Sequence, residues 1–437
     1  MHSNDLIIRT SNHLLTSLNP GKLKKHQEFL KEYRRISSIY LDYIWNNGIN
    51  LKHKDNHWIF DTKTKLDCPA WLSTVEIDKE LNLETWLSGR IKKCIITQVL
   101  GIVRGDIEKQ RKRQFVVNQI RANQRKVPYK LRRSTRHHKP VKPDISNINP
   151  ELNSLCLDYQ EEASETGKFD SWLRLSSYDN RERGLDLKLP INHHRHSRKL
   201  EHKGIKLNSY LLKDNSIDIR WNIQPEKHEK TVDRMGADQG LKTVLTLSDG
   251  QVTPDKDIHD HSLESIILKM CRKKEGSKSF KKAQEHRLNF INWTVNQLVF
   301  CFISVLCLEQ VKHLKYKNKR TRRIRHWCYP LIREKVVRRC VEQEVLVKYN
   351  QSAYMSQRCS QCGLVLKSNR TGKTYSCSNC GYIDDSDRNA ANNHQQELCE
   401  LTRDLRKLKL NIKGFFWKSS GIYHLNGEEL AVPLSKN

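Results

Sequence analysis

The residues best suited to chemistry are acids in three separated places. They are Asp238 in GADQG, Glu309 directly after an apolar run, and Asp384, Asp385 and Asp387 in CGYIDDSDRNAANN. Carboxylates are hard oxygen donors, the kind magnesium prefers. Three of them converging would hold two magnesium ions, which clamp the attacking and leaving oxygens of an in-line phosphodiester hydrolysis. Each acid alone says little, since an Asp beside a Gly is commonly a turn former. Asp384, Asp385 and Asp387 compete for the third place. Close by, Cys359-x-x-Cys362 and Cys377-x-x-Cys380 are each followed by a glycine, Gly363 and Gly381. Four thiolates in two such knuckles complete one tetrahedral zinc site, and an all-cysteine set marks it as structural. His193, His194, His196 and His202 lie in a basic, loop-like stretch, which favours solvated or phosphate-contacting roles over a metal site. Cys68, Cys94 and Cys156 are isolated, so no second zinc is expected.

These residues need elements to hold them. Val299–Leu308 (VFCFISVLCL) is a continuous apolar run, as in a strand covered on both faces, and it delivers Glu309 at its carboxyl end. A strand at Arg234–Gly236 leads into Asp238, and Lys242–Leu247 continues as β before the turn Ser248-Asp249-Gly250. In open α/β sheets, sites form where such strands end. A helix is expected near Asp387, with Asn389-Ala390-Ala391 small enough to pack tightly. Residues 262–298 read as mostly helical, and helices continue through about residue 347. The tail from about 401 is basic and gives no clear element.

The amino-terminal part reads differently. Residues 22–45 carry Leu23, Phe29, Leu30, Tyr33, Ile36, Tyr40, Leu41 and Ile44 at helical spacing, opposite a basic face. Residues 75–123 give further helices. Prolines at 128, 140 and 143 break the basic stretch from Arg111 to Pro143 into linker. Residues 150–228 look β-rich, with strands near Trp172–Leu175, Leu185–Leu189, Ile205–Leu212 and Ser216–Trp221.

Lys and Arg number 79 against 49 Asp and Glu, a formal net charge of +30 over 437 residues. That excess favours a polyanionic partner and salt-dependent association. Candidate nucleic-acid contacts are Arg111, Lys112, Arg113, Arg132, Arg133 and Arg136, and in KYKNKRTRRIR Lys315, Lys317, Lys319, Arg320, Arg322, Arg323 and Arg325. Tyr129, Tyr316 and Trp327 lie among or beside these runs, where they could stack on unpaired bases. No signal-peptide layout opens the chain and no apolar run is long enough for a bilayer, so the expected setting is the cytoplasm. Scattered cysteines suit its reducing conditions.

Taken in order, GADQG followed by SDG, LEQVKHLK, SAYMSQRCSQCG, CSNCG and DSDRNAANN resemble the RuvC-like domain of TnpB proteins, which compact type V CRISPR effectors share. The resemblance covers about residues 231–400. It implies a multidomain α+β protein: an amino-terminal wedge strand (1–21), a helical recognition module (22–125), a basic linker (126–149) and a β-rich wedge domain (150–230). An RNase H-like (RuvC) α/β nuclease domain follows (231–357 and, with the tail, 382–437), interrupted by a four-cysteine zinc ribbon (358–381). It carries catalytic, magnesium-binding roles onto Asp238, Glu309 and Asp387, preferring Asp387 because the family aspartate lies two residues before Asn-Ala-Ala. Two departures stand out: Ser386-Asp387 replaces an Arg-Asp pair, and His394 replaces a closing aliphatic residue.

The implied activity is RNA-guided cutting of double-stranded DNA beside a short adjacent motif, with two magnesium ions and one structural zinc. The implied partners are a guide RNA and target DNA, with no membrane, in a prokaryotic cell near the nucleoid. A monomer is expected over a homodimer. Competing readings are a guided DNA-binding regulator that does not cut, a transposase performing strand transfer, and a zinc-ribbon RNA-binding protein whose acids are structural.

Overall fold

The computed structural model describes residues 7–430, apart from residues 17, 49–50, 55–56, 61–73, 124–140, 162–167, 180–181, 241 and 311–325. The chain divides into two compact units at Gln224/Pro225. Arg132, Arg133, Arg136, the run from Lys315 to Arg325, Cys68, Tyr129 and Tyr316 lie outside the described residues. Among the described residues no helix is long and apolar enough to cross a membrane.

In the first unit the helical periodicity becomes α1 (Pro20–Gly48), with Phe29, Leu30, Tyr33, Ile36, Tyr40, Leu41 and Ile44 on its buried stripe. It packs with α2 (Thr74–Leu81) and the long α3 (Gly89–Ala122). Strand β1 (Ile7–Leu14) precedes α1, and the hairpin β2 (Leu51–Lys54) and β3 (His57–Phe60) follows it. The β-rich segment forms β4 (Glu151–Asn153), β5 (Leu157–Glu161), β6 (Ser171–Asp179), β7 (Glu182–Ile191), β8 (Gly204–Leu212) and β9 (Ser216–Ile223). These build an antiparallel sheet in the order β1-β9-β8-β4 and a second in the order β5-β6-β7.

Two sequence expectations fail in this unit. The histidine-rich stretch is not a loop but helix α4 (Arg195–Lys203), which buries only Ser197 and Leu200 and so shows little periodicity. His194 caps it, its Nδ1 accepting from the Ser197 N–H at 3.3 Å, while its Nε2 stands 3.0 Å from the Asn12 carbonyl. His193 Nε2 lies 3.0 Å from the Tyr159 hydroxyl. These two histidines are therefore committed to internal contacts. Nor are two of the early cysteines isolated from each other: Cys94 and Cys156 bring their Sγ atoms to 3.9 Å.

The second unit centres on a four-stranded sheet of order β11-β10-β12-β13, from β10 (Val232–Gln239), β11 (Leu245–Leu247), β12 (Ile303–Gln310) and β13 (Leu346–Gln351). Strands β10, β12 and β13 run parallel, and β11 is antiparallel to β10. Helices α5 (Leu263–Cys271), α6 (Lys278–Asn296) and α7 (Tyr329–Glu342) add Ile266, Ile267, Phe290, Ile291, Ile332 and Val336 to its core. The apolar run does not start its strand at Val299. Val299 is 47% exposed and its N–H donates to the Gln251 side chain, so β12 begins four residues later and takes in Glu309. Strand β13 replaces the helix expected to reach 347. It is an edge strand with Leu346 and Tyr349 exposed, too polar and short to announce itself.

After β13 come β14 (Leu364–Val365), β15 (Arg370–Thr371), β16 (Thr374–Ser376) and β17 (Ile383–Asp385). Then follow α8 (Ser386–Gln395), α9 (Arg403–Lys407), β18 (Phe415–Trp417) and β19 (Ile422–Tyr423). The tail is thus ordered into elements: β18 pairs with β14 on one side and β19 on the other, while β15, β16 and β17 form their own antiparallel sheet.

Candidate active site and four-cysteine cluster

Parallel pairing of β10 and β12 sets Ala237 opposite Leu308, so Asp238 and Glu309 follow at adjacent places and point to one face. The Gln239 side-chain amide donates to the Glu309 carbonyl at 3.3 Å and ties the two strand ends together. The third acid arrives on α8, which packs against β10. Gly236 makes that packing possible. A Cβ there would lie 1.8 Å from the Ala391 carbonyl oxygen and 2.5 Å from the Gln395 nitrogen, so the helix backbone sits directly on the strand. Ala390 and Ala391 are fully buried in that contact.

Capping chemistry separates the three competing aspartates. Asp385 is the N-cap of α8 and accepts from the N–H groups of Asp387 (2.8 Å) and Arg388 (3.3 Å), as N-cap carboxylates do. Asp384 accepts from the Tyr382 hydroxyl and the Asp385 N–H. Asp387 is left to face Asp238, whose pKa it helps to raise.

Three carboxylates in one poorly solvated place disturb one another. Burial first, then the charges of Glu309 and Asp387, push the Asp238 carboxyl well above the ordinary range, although its side chain keeps 16% of its surface open. Burial likewise raises Glu309 to about 7. Arg370 and Lys373, from the β15–β16 hairpin, pull Asp238 the other way. Lys373 ion-pairs directly with Asp387, and Arg370 reaches the same carboxylate at 3.9 Å. With Asp387 so engaged, no three of the site's ligand atoms come within 4.8 Å of one another.

His394, noticed in the sequence only as a departure, proves to be part of this site. It is fully buried on α8, with Nε2 3.9 Å from Asp238 Oδ1 and both ring nitrogens without a hydrogen-bond partner. Burial lowers its pKa to about 4, so it stands neutral. Its backbone carbonyl accepts from the Asn350 amide at 2.6 Å, anchoring α8 to β13.

The four cysteines meet as their spacing predicts. Their sulfurs all lie within 4.8 Å of one another, with Cys359–Cys380 and Cys362–Cys377 each at 3.6 Å. Both knuckles close through a backbone bond from the glycine to the first cysteine, Gly363 to Cys359 and Gly381 to Cys377, each 3.0 Å. The two glycines hold φ of +83° and +72°, where a side chain would be strained. Asn389 and Asn393 bind this cluster to α8. Asn389 Oδ1 accepts the Ser360 N–H (3.0 Å), and both amides donate to the Arg358 carbonyl (2.8 and 2.7 Å). The buried Arg358 in turn donates to the Trp417 carbonyl at 2.8 Å. Sequence reasoning credited Asn389 only with small size, whereas its amide is the brace.

Of the nucleic-acid candidates, Arg111, Lys112 and Arg113 lie on the outer half of α3, beside Phe115, which is 64% exposed. Lys112 pairs with Glu108 at 3.5 Å. Trp327 does not stand free for stacking: it packs partly buried against the core of the second unit.

Residues 329–394, which span the cysteine cluster and α8, match a family model described as Cas12f1-like, TNB domain. Over 134 residues the chain is 35% identical to the CRISPR-associated endodeoxyribonuclease Cas12f1 of Sulfoacidibacillus thermotolerans. That match takes in 30% of this chain and 31% of the relative, so it spans about a third of the relative's length. A Cas12f1–sgRNA–target DNA complex superimposes with a TM-score of 0.52, covering 85% of this chain and 82% of that one at 13% identity. The fold is that of the compact type V effectors. C2c1 of Alicyclobacillus acidoterrestris, solved with single-guide RNA, gives a TM-score of 0.51 over 97% of this chain and 94% of that one, at 8% identity. The mini-RNA-guided endonuclease CRISPR-Cas_phi3 gives 0.50 over 90% and 93%, at 9%. At such identities the likeness is one of fold.

Proposed function

We propose that this chain is an RNA-guided DNA endonuclease whose cutting site is Asp238, Glu309 and Asp387. The observation that carries the reading is that three acids, at the ends of two parallel strands and in the first turn of α8, lie near enough to act on one another electrostatically. Nothing in ordinary packing requires two half-buried carboxylates to share a field with a third. The fold supports the same reading, because the Cas12f1 relative is an endodeoxyribonuclease and the matched structures include guide RNA and target DNA.

The donor set suits magnesium: all-oxygen, anionic and partly shielded from water. Asp238, Glu309 and Asp387 would hold the ions, which when bound supply charge stabilisation at the phosphate and an activated water. The chain's own part is to orient. The paired strand ends fix Asp238 and Glu309, and the Asp385 cap fixes the first turn of α8, which keeps Asp387 near Asp238. The neutral His394 ring screens Asp238 from water on the helix side. The four cysteines suit one structural zinc, because four thiolates at these separations carry a charge that a divalent ion offsets. The basic surface would take up guide RNA, with base pairing supplying sequence specificity and protein side chains reading a short adjacent motif.

Asp238→Ala tests the assignment. Expressed with its native flanking DNA, the variant should still co-purify with a discrete RNA but should not cut matched DNA in magnesium. Retained cutting would remove Asp238 from the site. Intact RNA capture by a wild-type protein that never cuts would favour the regulator reading.

A further inference from the structure

Outside the acids and the four cysteines, one cluster of metal-ligating side chains remains without a role. Asp257 and His261 sit in the loop between β11 and α5, and His286 projects from α6. Asp257 Oδ2 lies 3.3 Å from His261 Nδ1 and 4.0 Å from His286 Nε2, and each of the three residues offers a ligand atom within 4.8 Å of the others. We propose that Asp257, His261 and His286 form a second metal site, taking one divalent transition ion such as zinc.

Three observations carry the site. First, the spacing fits: a tetrahedral zinc with bonds of about 2.0–2.1 Å has ligands roughly 3.3 Å apart, which one edge already matches and the next approaches. Second, the loop is pre-shaped to present a single oxygen. Asp257 Oδ1 accepts the N–H groups of His259 and His261, both at 2.9 Å, and the Asp257 N–H donates to the His261 carbonyl at 2.9 Å. Those bonds lock the loop and leave Oδ2 to the imidazoles. Third, the rings of His261 and His286 meet edge to face with centroids 4.8 Å apart, so nitrogens from a loop and a helix converge on one carboxylate. A hydrogen-bonded Asp–His pair needs only one of the two rings.

The donor set decides the ion. Two imidazoles and a carboxylate suit zinc, cobalt, nickel or iron, whereas magnesium favours all-oxygen ligands. The His261 side chain keeps 45% of its surface open and leaves room for water as a fourth ligand. The ion would clip the loop ahead of α5 onto α6, two helices that already share the small core of Met270, Phe280 and Ala283. This site is independent of the nuclease reading and stands or falls without it.

The test uses the full chain saturated with zinc, dialysed and analysed for bound metal by elemental mass spectrometry. Wild type should retain two zinc ions per chain and the double variant H261A/H286A one. Asp257→Asn keeps the loop-locking oxygen and should also lose one ion, without the risk of a collapsed loop. Cobalt substitution separates the sites, because the four-cysteine site gives intense thiolate charge-transfer absorption and the new site only weak ligand-field bands. Those weak bands should vanish in the variants while the thiolate bands persist. A single zinc in wild type, or equal metal content and cobalt spectra in wild type and both variants, would overturn the proposal.

Discussion

The acidic site sets two buried groups against each other, and their signs can be worked out. Glu309 has its folded-state pKa raised from 4.5 to about 7, so between those values the native chain holds a proton that the unfolded chain has lost. Its contribution to stability therefore falls as pH rises from about 4.5 to 7. His394 has its folded-state pKa lowered from 6.5 to about 4, so the unfolded chain takes up a proton first. Its contribution falls as pH drops from about 6.5 to 4. Each shift corresponds to about 3 kcal/mol at most, by the usual conversion of pKa to free energy. In wild type the two trends largely cancel. Urea unfolding in magnesium-free buffer at about pH 7 and pH 5 exposes them separately. Relative to wild type, Glu309→Gln should lose stability on acidification and His394→Leu should gain it. Parallel pH trends in all three proteins would mean the two groups do not titrate as their burial implies.

At the scale of elements, α8 joins everything. One face lays the backbone of Ala391 and Gln395 on Gly236 of β10, another gives Asn389 and Asn393 to the cysteine cluster, and its first turn presents Asp387. Gly236→Ala places a methyl group inside the space of the Ala391 carbonyl. The helix must lift, at an expected cost of about 3 kcal/mol, seen as a lower thermal midpoint. Cleavage should fall steeply although every acid is present. A stable and fully active variant would show that the strand–helix contact does not position Asp387. Part of this arrangement was legible in the sequence. The knuckles were readable because Cys-x-x-Cys-Gly is a local constraint. The third acid was not fixed by spacing alone, since Asp384, Asp385 and Asp387 differ only in which N–H groups they meet once the helix has formed. The edge strand β13 and helix α4 were missed for one reason: each buries too little apolar surface to leave a period.

For the molecule as a whole, charge is the property that most needs a partner. With a net charge of +30, nucleic-acid affinity should fall linearly with salt on logarithmic axes. Replacing Arg111, Lys112 and Arg113 together by Ala should flatten that slope by up to about 3, nearly one unit for each phosphate contact removed. An unchanged slope would take the outer half of α3 out of the interface. The charge and the order of the motifs were plain from the sequence. The division at Gln224/Pro225 lies where antiparallel strands give way to the mostly parallel sheet of the second unit. What no local pattern revealed was the fate of the tail.

That tail bears on how the protein is made. Strand β18 completes the sheet begun by β14, and the Trp417 carbonyl receives the Arg358 side chain. During synthesis the first knuckle emerges some fifty residues before its partner strand, and α8 leaves the ribosome while that knuckle is still half supported. The helix that carries Asp387 gains its full brace only when Trp417 follows. On the nuclease reading proposed above, cutting would wait until β18 had joined β14, so the sheet and not the acids would be the slow part of the site to form.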